Sequence, residues 1–165
     1  MTIRRNWLPY IVACGILLWI TGASTAQTPT PDANAANKKP TSEVTYFEAA
    51  KVNASFEKAA LLVEGDTQDS HYKILTARRD KPGQSELHSK DTDLIYILEG
   101  TARFVTGGEI VEGKTTAPDE IRGASIKDGT SRKLAKGDVI IVPGGVPHQF
   151  VEVSNPFLYY VVKVR

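Results

Sequence analysis

The chemistry in this chain gathers on one histidine. The stretch Gly137-Asp138-Val139-Ile140-Ile141-Val142-Pro143-Gly144-Gly145-Val146-Pro147-His148 predicts a strand that feeds a tight turn. Gly137-Asp138 supplies turn chemistry at its start. Val139 to Val142 is a short β-branched run bounded by breakers, which favours a strand over a helix. Pro143 ends the ladder, and Gly144-Gly145 lets the backbone reverse sharply. His148 then opens the next strand, beside Phe150 and Val151. A histidine delivered by such a turn onto a strand is held rigidly, as a metal ligand or a proton-transfer group must be. Taken alone, His148 also fits an ordinary hydrogen-bonded histidine at the mouth of a β-barrel.

The spacing of Gly137, Pro143, Gly145 and His148 resembles the second sequence motif of the cupin family. That motif runs Gly, five residues, Pro, one residue, Gly, two residues, His, and this chain keeps it. The family's pattern closes with Asn four residues later, where this chain has Glu152. The resemblance covers about residues 70 to 163. It implies an all-β fold, a double-stranded β-helix or cupin jelly-roll barrel, with the histidine pointing into the cavity.

The family's first motif runs His, one residue, His, three or four residues, Glu, six residues, Gly. Leu94 to Gly100 looks like its strand and turn. Counting back, Asp93 stands at the Glu position, His88 at the second His and Glu86 at the first. Both substituted residues can still ligate a metal through oxygen. Strand parity agrees, because residues 86 and 88 share one face, as do 93, 95 and 97. The resemblance therefore implies a metal set of Glu86, His88, Asp93 and His148. Such a mixture of nitrogen and oxygen donors suits a divalent iron, manganese or zinc ion, and two His with one carboxylate suit a non-haem iron centre.

Two alternatives stay open. In a second register His88 and Lys90 take the two His positions. Lysine does not normally ligate a metal, which leaves His88, Asp93 and His148. In the other, the metal site has been lost, and Glu86 and Asp93 are solvated carboxylates beside a turn. His71 is read as a strand-end histidine outside the site. Arg78, Arg79, Arg103 and Arg122 could each meet an anionic substrate, and nothing in the sequence chooses among them. Tyr96 and Phe150 are expected in the core or the cavity wall. The chain shows no Ser-His-Asp arrangement, phosphate loop or Cys-based metal spacing.

Short strands must position these residues. They are expected at Leu61 to Val63, His71 to Arg78, Ser85 to His88, Asp93 to Glu99, Ala102 to Thr106, Ile110-Val111, Ser125-Ile126 and Phe157 to Val164, with Arg132 to Leu134 leading into the stretch that begins at Gly137. Many short strands with Gly/Pro turns point to a sandwich or barrel. Phe157 to Val164 is apolar on both faces, the mark of an inner strand or a subunit contact. Residues 114–123 read as a long polar loop that could close over the cavity. Asn53 is expected to cap a short helix over Ala54 to Ala60.

The 165 residues suffice for one domain with a real core, and the net charge of +1 offers no electrostatic case for nucleic acid. Residues 1–26 read as an export signal. Arg4 and Arg5 precede a mostly apolar run from Ile11 to Ile20, and small residues follow at Ala23-Ser24-Thr25-Ala26. The apolar run is short against a membrane span of roughly 20 residues, so cleavage is favoured over anchoring. Ile11-Val12-Ala13-Cys14 loosely resembles a lipoprotein box, but the apolar run continues past this only cysteine. Removing the signal leaves no cysteine for a disulfide.

Residues 27–42 read as a flexible tether, and 43–165 as the cupin domain. The expected product is periplasmic or secreted, without stable membrane association after cleavage. The resemblance implies a divalent metal, a small-molecule ligand and pairing into a homodimer. Family reactions include oxygenation, isomerisation and decarboxylation, among which fold resemblance does not select. The alternative is a metal-free, non-enzymatic module that binds a sugar or an organic acid.

Overall fold

The computed structural model describes residues 44–66 and 71–165. The expected signal (1–26), with Cys14, and the tether (27–42) lie outside the described residues. The described chain runs through a helix α1 (Ala49–Ser55) and strands β1 (Ala60–Asp66), β2 (His71–Arg79), β3 (Ser85–His88), β4 (Thr92–Glu99), β5 (Thr101–Thr106) and β6 (Glu109–Val111). It continues through β7 (Lys114–Ala117), β8 (Glu120–Gly123), β9 (Ser125–Lys127), β10 (Thr130–Ala135), β11 (Val139–Val142), β12 (His148–Val153) and β13 (Phe157–Val164). Two antiparallel sheets face each other, one ordered β1-β2-β13-β4-β11 and the other β10-β5-β12-β3-β8-β7. A small β6-β9 ribbon stands apart. This is the jelly-roll, double-stranded β-helix architecture.

The strand β13 lies between β2 and β4, as its two apolar faces require. Its inward residues Phe157, Tyr159 and Val161 are buried, and they meet Ile97 and Ile95 of β4 in register. From the second sheet come Phe104 and Phe150. The ring centres of Phe104 and Phe150 lie 4.5 Å apart, and Phe150 lies 5.2 Å from Phe157 and 5.1 Å from Tyr159. Such offset and edge contacts add to the burial energy of each ring. This aromatic stack fills one half of the space between the sheets and leaves the other half to polar residues.

Three expectations change. The helix covers Ala49–Ser55 instead of Ala54 to Ala60, and Asn53 sits in its last turn rather than at its cap. Ala49, Ala50 and Lys51 are strong helix formers and start it earlier. It stops because Ser55 is tied to Thr76 by a 2.9 Å hydroxyl contact and Phe56 packs edge-on against Tyr160 at 5.3 Å. Residues 114–123 are not a loop but the β7-β8 hairpin, paired onto β3. Its polar composition reflects an exposed sheet edge, where β7 lies, and not missing strand structure. Tyr96 points outward and is 40% exposed, whereas Phe150 is core.

Phe104 is completely buried at the base of the aromatic stack. Phe104→Ala is expected to lower unfolding free energy by about 3–5 kcal/mol in urea titrations. A loss below about 1 kcal/mol would mean that the stack does not hold the sheets together.

Candidate metal centre

The polar half of the interior is built by register. His148 opens β12 directly opposite Glu86 of β3. On its other side β3 pairs with β8, setting Glu86 opposite Arg122 and His88 opposite Glu120. Side chains two residues apart share a face, so Glu86, His88, His148, Arg122 and Glu120 form one inward patch on the second sheet. The first sheet answers with Asp93 on β4 directly opposite Lys163 on β13.

The two motif turns hold each other. The Gly145 N–H donates to the His88 carbonyl at 2.7 Å. Gly145 takes φ +80°, a left-handed conformation that glycine adopts without strain. A side chain on Gly144 would come within 3.1 Å of the Lys90 backbone. The glycines therefore let the turn before His148 lie against the turn after His88, which fixes the spacing of the two imidazoles. Their ring centres are 5.3 Å apart, and both rings are buried.

Acceptor atoms converge between the rings. His148 Nδ1 bonds the Val146 carbonyl at 3.2 Å, which assigns the proton to Nδ1 and leaves the Nε2 lone pair facing inward. Burial pushes the His148 ring below its ordinary value of 6.5, against the opposite pull of the Val146 bond, Asp93 and Glu86. The ring is therefore neutral at pH 7, the form that ligates metals. His88 Nδ1 lies 3.7 Å from Glu120 Oε2. His88 Nε2 is buried, without a hydrogen-bond partner among the described residues, and it lies 3.7 Å from Glu86 Oε2 and 3.5 Å from Asp93 Oδ2. His148 Nε2 is 3.8 Å from the same Asp93 oxygen. A cation placed between these nitrogens and oxygens would be attracted by the carboxylates and by the inward lone pair of His148.

The donor set fits a divalent cation. Glu86, His88 and His148 each offer one atom, all within 4.8 Å of one another. Ligands about 2.1 Å from a common ion at tetrahedral or octahedral angles lie roughly 3.0–3.4 Å apart, so closure needs shifts of a few tenths of an ångström for the nearer atoms. Asp93 is close to both rings, but its two oxygens are each held by Lys163 Nζ at 2.8 Å. The four expected residues thus come together, with Glu86, His88 and His148 as the open donors and Asp93 in an ion pair beside them.

Glu86 is also restrained. Its Oε1 accepts from Arg79 Nη2 at 3.3 Å and faces Arg122 Nη1 at 3.0 Å, while Oε2 faces His88. Burial alone would raise its pKa, but the charges of Arg122 and Arg79 outweigh burial and hold the carboxyl below its ordinary 4.5. Arg79 is itself locked, donating from Nε to the Tyr159 hydroxyl at 2.8 Å and lying 5.2 Å from the Phe150 ring centre. Arg122 Nε donates to Glu120 at 2.7 Å. A cavity of about 530 Å³ opens in front of these groups.

Five residues of this site are absent from the expected ligand set: Arg79, Arg122, Glu120, Tyr159 and Lys163. Of the four arginines that could meet an anion, the fold brings Arg79 and Arg122 to the carboxylate. Lys163 and Tyr159 carried a readable signal, because they extend the inward alternation of Phe157 and Val161. Glu120 had none while its segment read as a loop, and nothing set Arg122 apart from the other arginines. His71 lies outside the cavity, with Nε2 3.5 Å from Glu64.

Comparison with known proteins agrees with this architecture. A protein from Bacillus halodurans matches with a TM-score of 0.50 at 14% identity, over 76% of this chain and 82% of its own. An uncharacterized conserved protein with a double-stranded β-helix domain from Klebsiella pneumoniae matches at 0.46 and 20% identity, over 73% and 90% of the two chains. Hydroquinone 1,2-dioxygenase from Sphingomonas sp. TTNP3 with 4-hydroxybenzoate bound matches at 0.48 and 14% identity, over 78% and 84%. No curated protein is similar enough to match. The family model described as Cupin matches residues 67–165, well over half of the sequence, and this chain belongs to the cupin family.

Proposed function

We propose that this protein binds a divalent iron, manganese or zinc ion through Glu86, His88 and His148, with Asp93 beside it, and works on a small organic ligand in the cavity. The observation that carries the reading is the buried His88 Nε2, which has no hydrogen-bond partner among the described residues and faces carboxylate oxygens of Glu86 and Asp93. When bound, the ion supplies Lewis acidity and open positions where a substrate, or oxygen and a substrate, can meet. Oxygenation, isomerisation or decarboxylation is the class of reaction. The chain's own groups do the rest. Arg79 and Arg122 fix the Glu86 carboxylate so that one oxygen faces the imidazoles. The Tyr159 hydroxyl accepts from Arg79 and keeps its own proton for donation. The aromatic stack closes the far end against water.

The protein acts in the periplasm or outside the cell, with residues 1–26 serving as a cleaved signal. Two copies pair through the outer face of the first sheet. There Leu94 and Tyr96 stand opposite Ile141 and Val139, all four exposed on or beside the edge strand β11. Exposed apolar side chains grouped in this way mark contact surfaces.

A second reading is favoured by the ion pairs. Glu86 and Asp93 already have cationic partners, so a proton on His88 Nε2 could satisfy them in a metal-free binding pocket.

Elemental analysis separates the two. Protein purified without chelator is expected to carry about one transition metal per chain. His88→Ala or His148→Ala should weaken metal binding more than about 100-fold, since even supporting residues around a metal cost 10–100-fold. Metal-free protein that binds no added ion, with wild-type and variant alike, sinks the metal reading. For the pairing, light scattering of wild-type protein should report a dimer, and Ile141→Glu should shift it to monomer. A wild-type monomer refutes that part.

A further inference from the structure

We infer that the site, once it holds a divalent ion, takes an organic anion: a small carboxylate that reaches the ion through a charged oxygen. The inference rests on the metal reading above and follows from charge balance in the cavity.

Seven charged side chains line the cavity. Arg78 is paired with Asp80 at 3.0 Å, and the other six stand around the two imidazoles. Lys163 meets both oxygens of Asp93 at 2.8 Å. Arg122 donates to Glu120 at 2.7 Å. Arg79 and Arg122 together face one oxygen of Glu86, at 3.3 and 3.0 Å. Three cations thus stand against three carboxylates, and every carboxylate has a cation of its own.

The consequence concerns the ion. Where ligating carboxylates lack other partners, they offset the charge of the metal they hold. Here Glu86 and Asp93 are offset before any ion arrives, so the protein presents a divalent cation with no net negative charge. Uncompensated charge in a largely buried site is unfavourable. An anionic ligand, in competition with hydroxide formed from metal-bound water, supplies the compensation. A neutral alcohol or amide leaves the excess in place, whereas a carboxylate removes it. The cavity of about 530 Å³ is of the size that small organic ligands occupy.

The coupling is reciprocal: an anion that strengthens metal binding is itself bound more tightly, by the same factor, when the metal is present. Equilibrium dialysis of the wild-type protein with Mn²⁺ tests this, at equal free Mn²⁺ activity, with malonate or with its neutral diamide, malonamide. Malonate is expected to tighten Mn²⁺ binding at least tenfold, and malonamide to leave it unchanged. Lys163→Met releases Asp93 from its cation. That variant should bind Mn²⁺ more tightly than wild type without malonate and show less than a threefold malonate effect. If the variant does not fold, the comparison of malonate with malonamide on wild type decides alone. Equal Mn²⁺ affinity with both additives overturns this inference and leaves the metal reading standing. No Mn²⁺ binding with either additive overturns the metal reading and this inference together.

Discussion

The strand β3 is only four residues long, and the polar half of the molecule depends on how it is paired. It is bonded on both sides, to β12 through His148 and Glu86, and to β8 through two further inward pairs. Because side chains alternate with period two, a slip of one residue would turn Glu86 and His88 outward and bring Leu87 into the cavity. Register is therefore the first condition for any chemistry here. The Gly145 N–H bonded to the His88 carbonyl resists such a slip from the end of the strand. A short strand with few ladder bonds of its own gains its rigidity from both neighbours and from this turn-on-turn contact.

Electrostatics then shapes what the pairing allows. Nearly buried carboxylates are unfavourable without partners, and each one here has a cation within about hydrogen-bond reach. Lys163 and Asp93 form a cross-strand pair within the first sheet, whereas Glu86 draws Arg79 from the first sheet and Arg122 from the second. The Glu86 cluster therefore ties the two layers together through charge as well as through packing. The imidazoles are the exception, since their inward nitrogens meet acceptors and not donors.

Packing separates this polar region from the rest. His148 rests 5.9 Å from the Phe104 ring centre, at the boundary between aromatic stack and cavity. Below that boundary the interior is filled by the buried rings of Phe104, Phe150 and Phe157. Above it the walls carry charge and remain accessible. Arg79 spans the boundary, with its guanidinium near Phe150 and its donors on Tyr159 and Glu86. The same side chain thus links core packing to the orientation of a candidate ligand.

Much of this was legible from residues alone. Gly137, Pro143, Gly145 and His148 identify a strand, a turn and a rigid histidine because turn chemistry is local. The inward sharing of Glu86 and His88, and of Asp93 with Ile95 and Ile97, follows from strand parity, which is also local. Tertiary structure alone decided the partners. Lys163 lies 70 residues from Asp93 in sequence, and nothing in either segment announces the pair. Segment 114–123 read as a loop because exposed edge strands are polar, which hid Glu120. Which arginines matter, and whether a carboxylate is open or already neutralised, depends on distances between remote strands. Short-range preference sets where the chain turns and which way each residue faces, whereas the charge environment of a buried group is a property of everything folded around it.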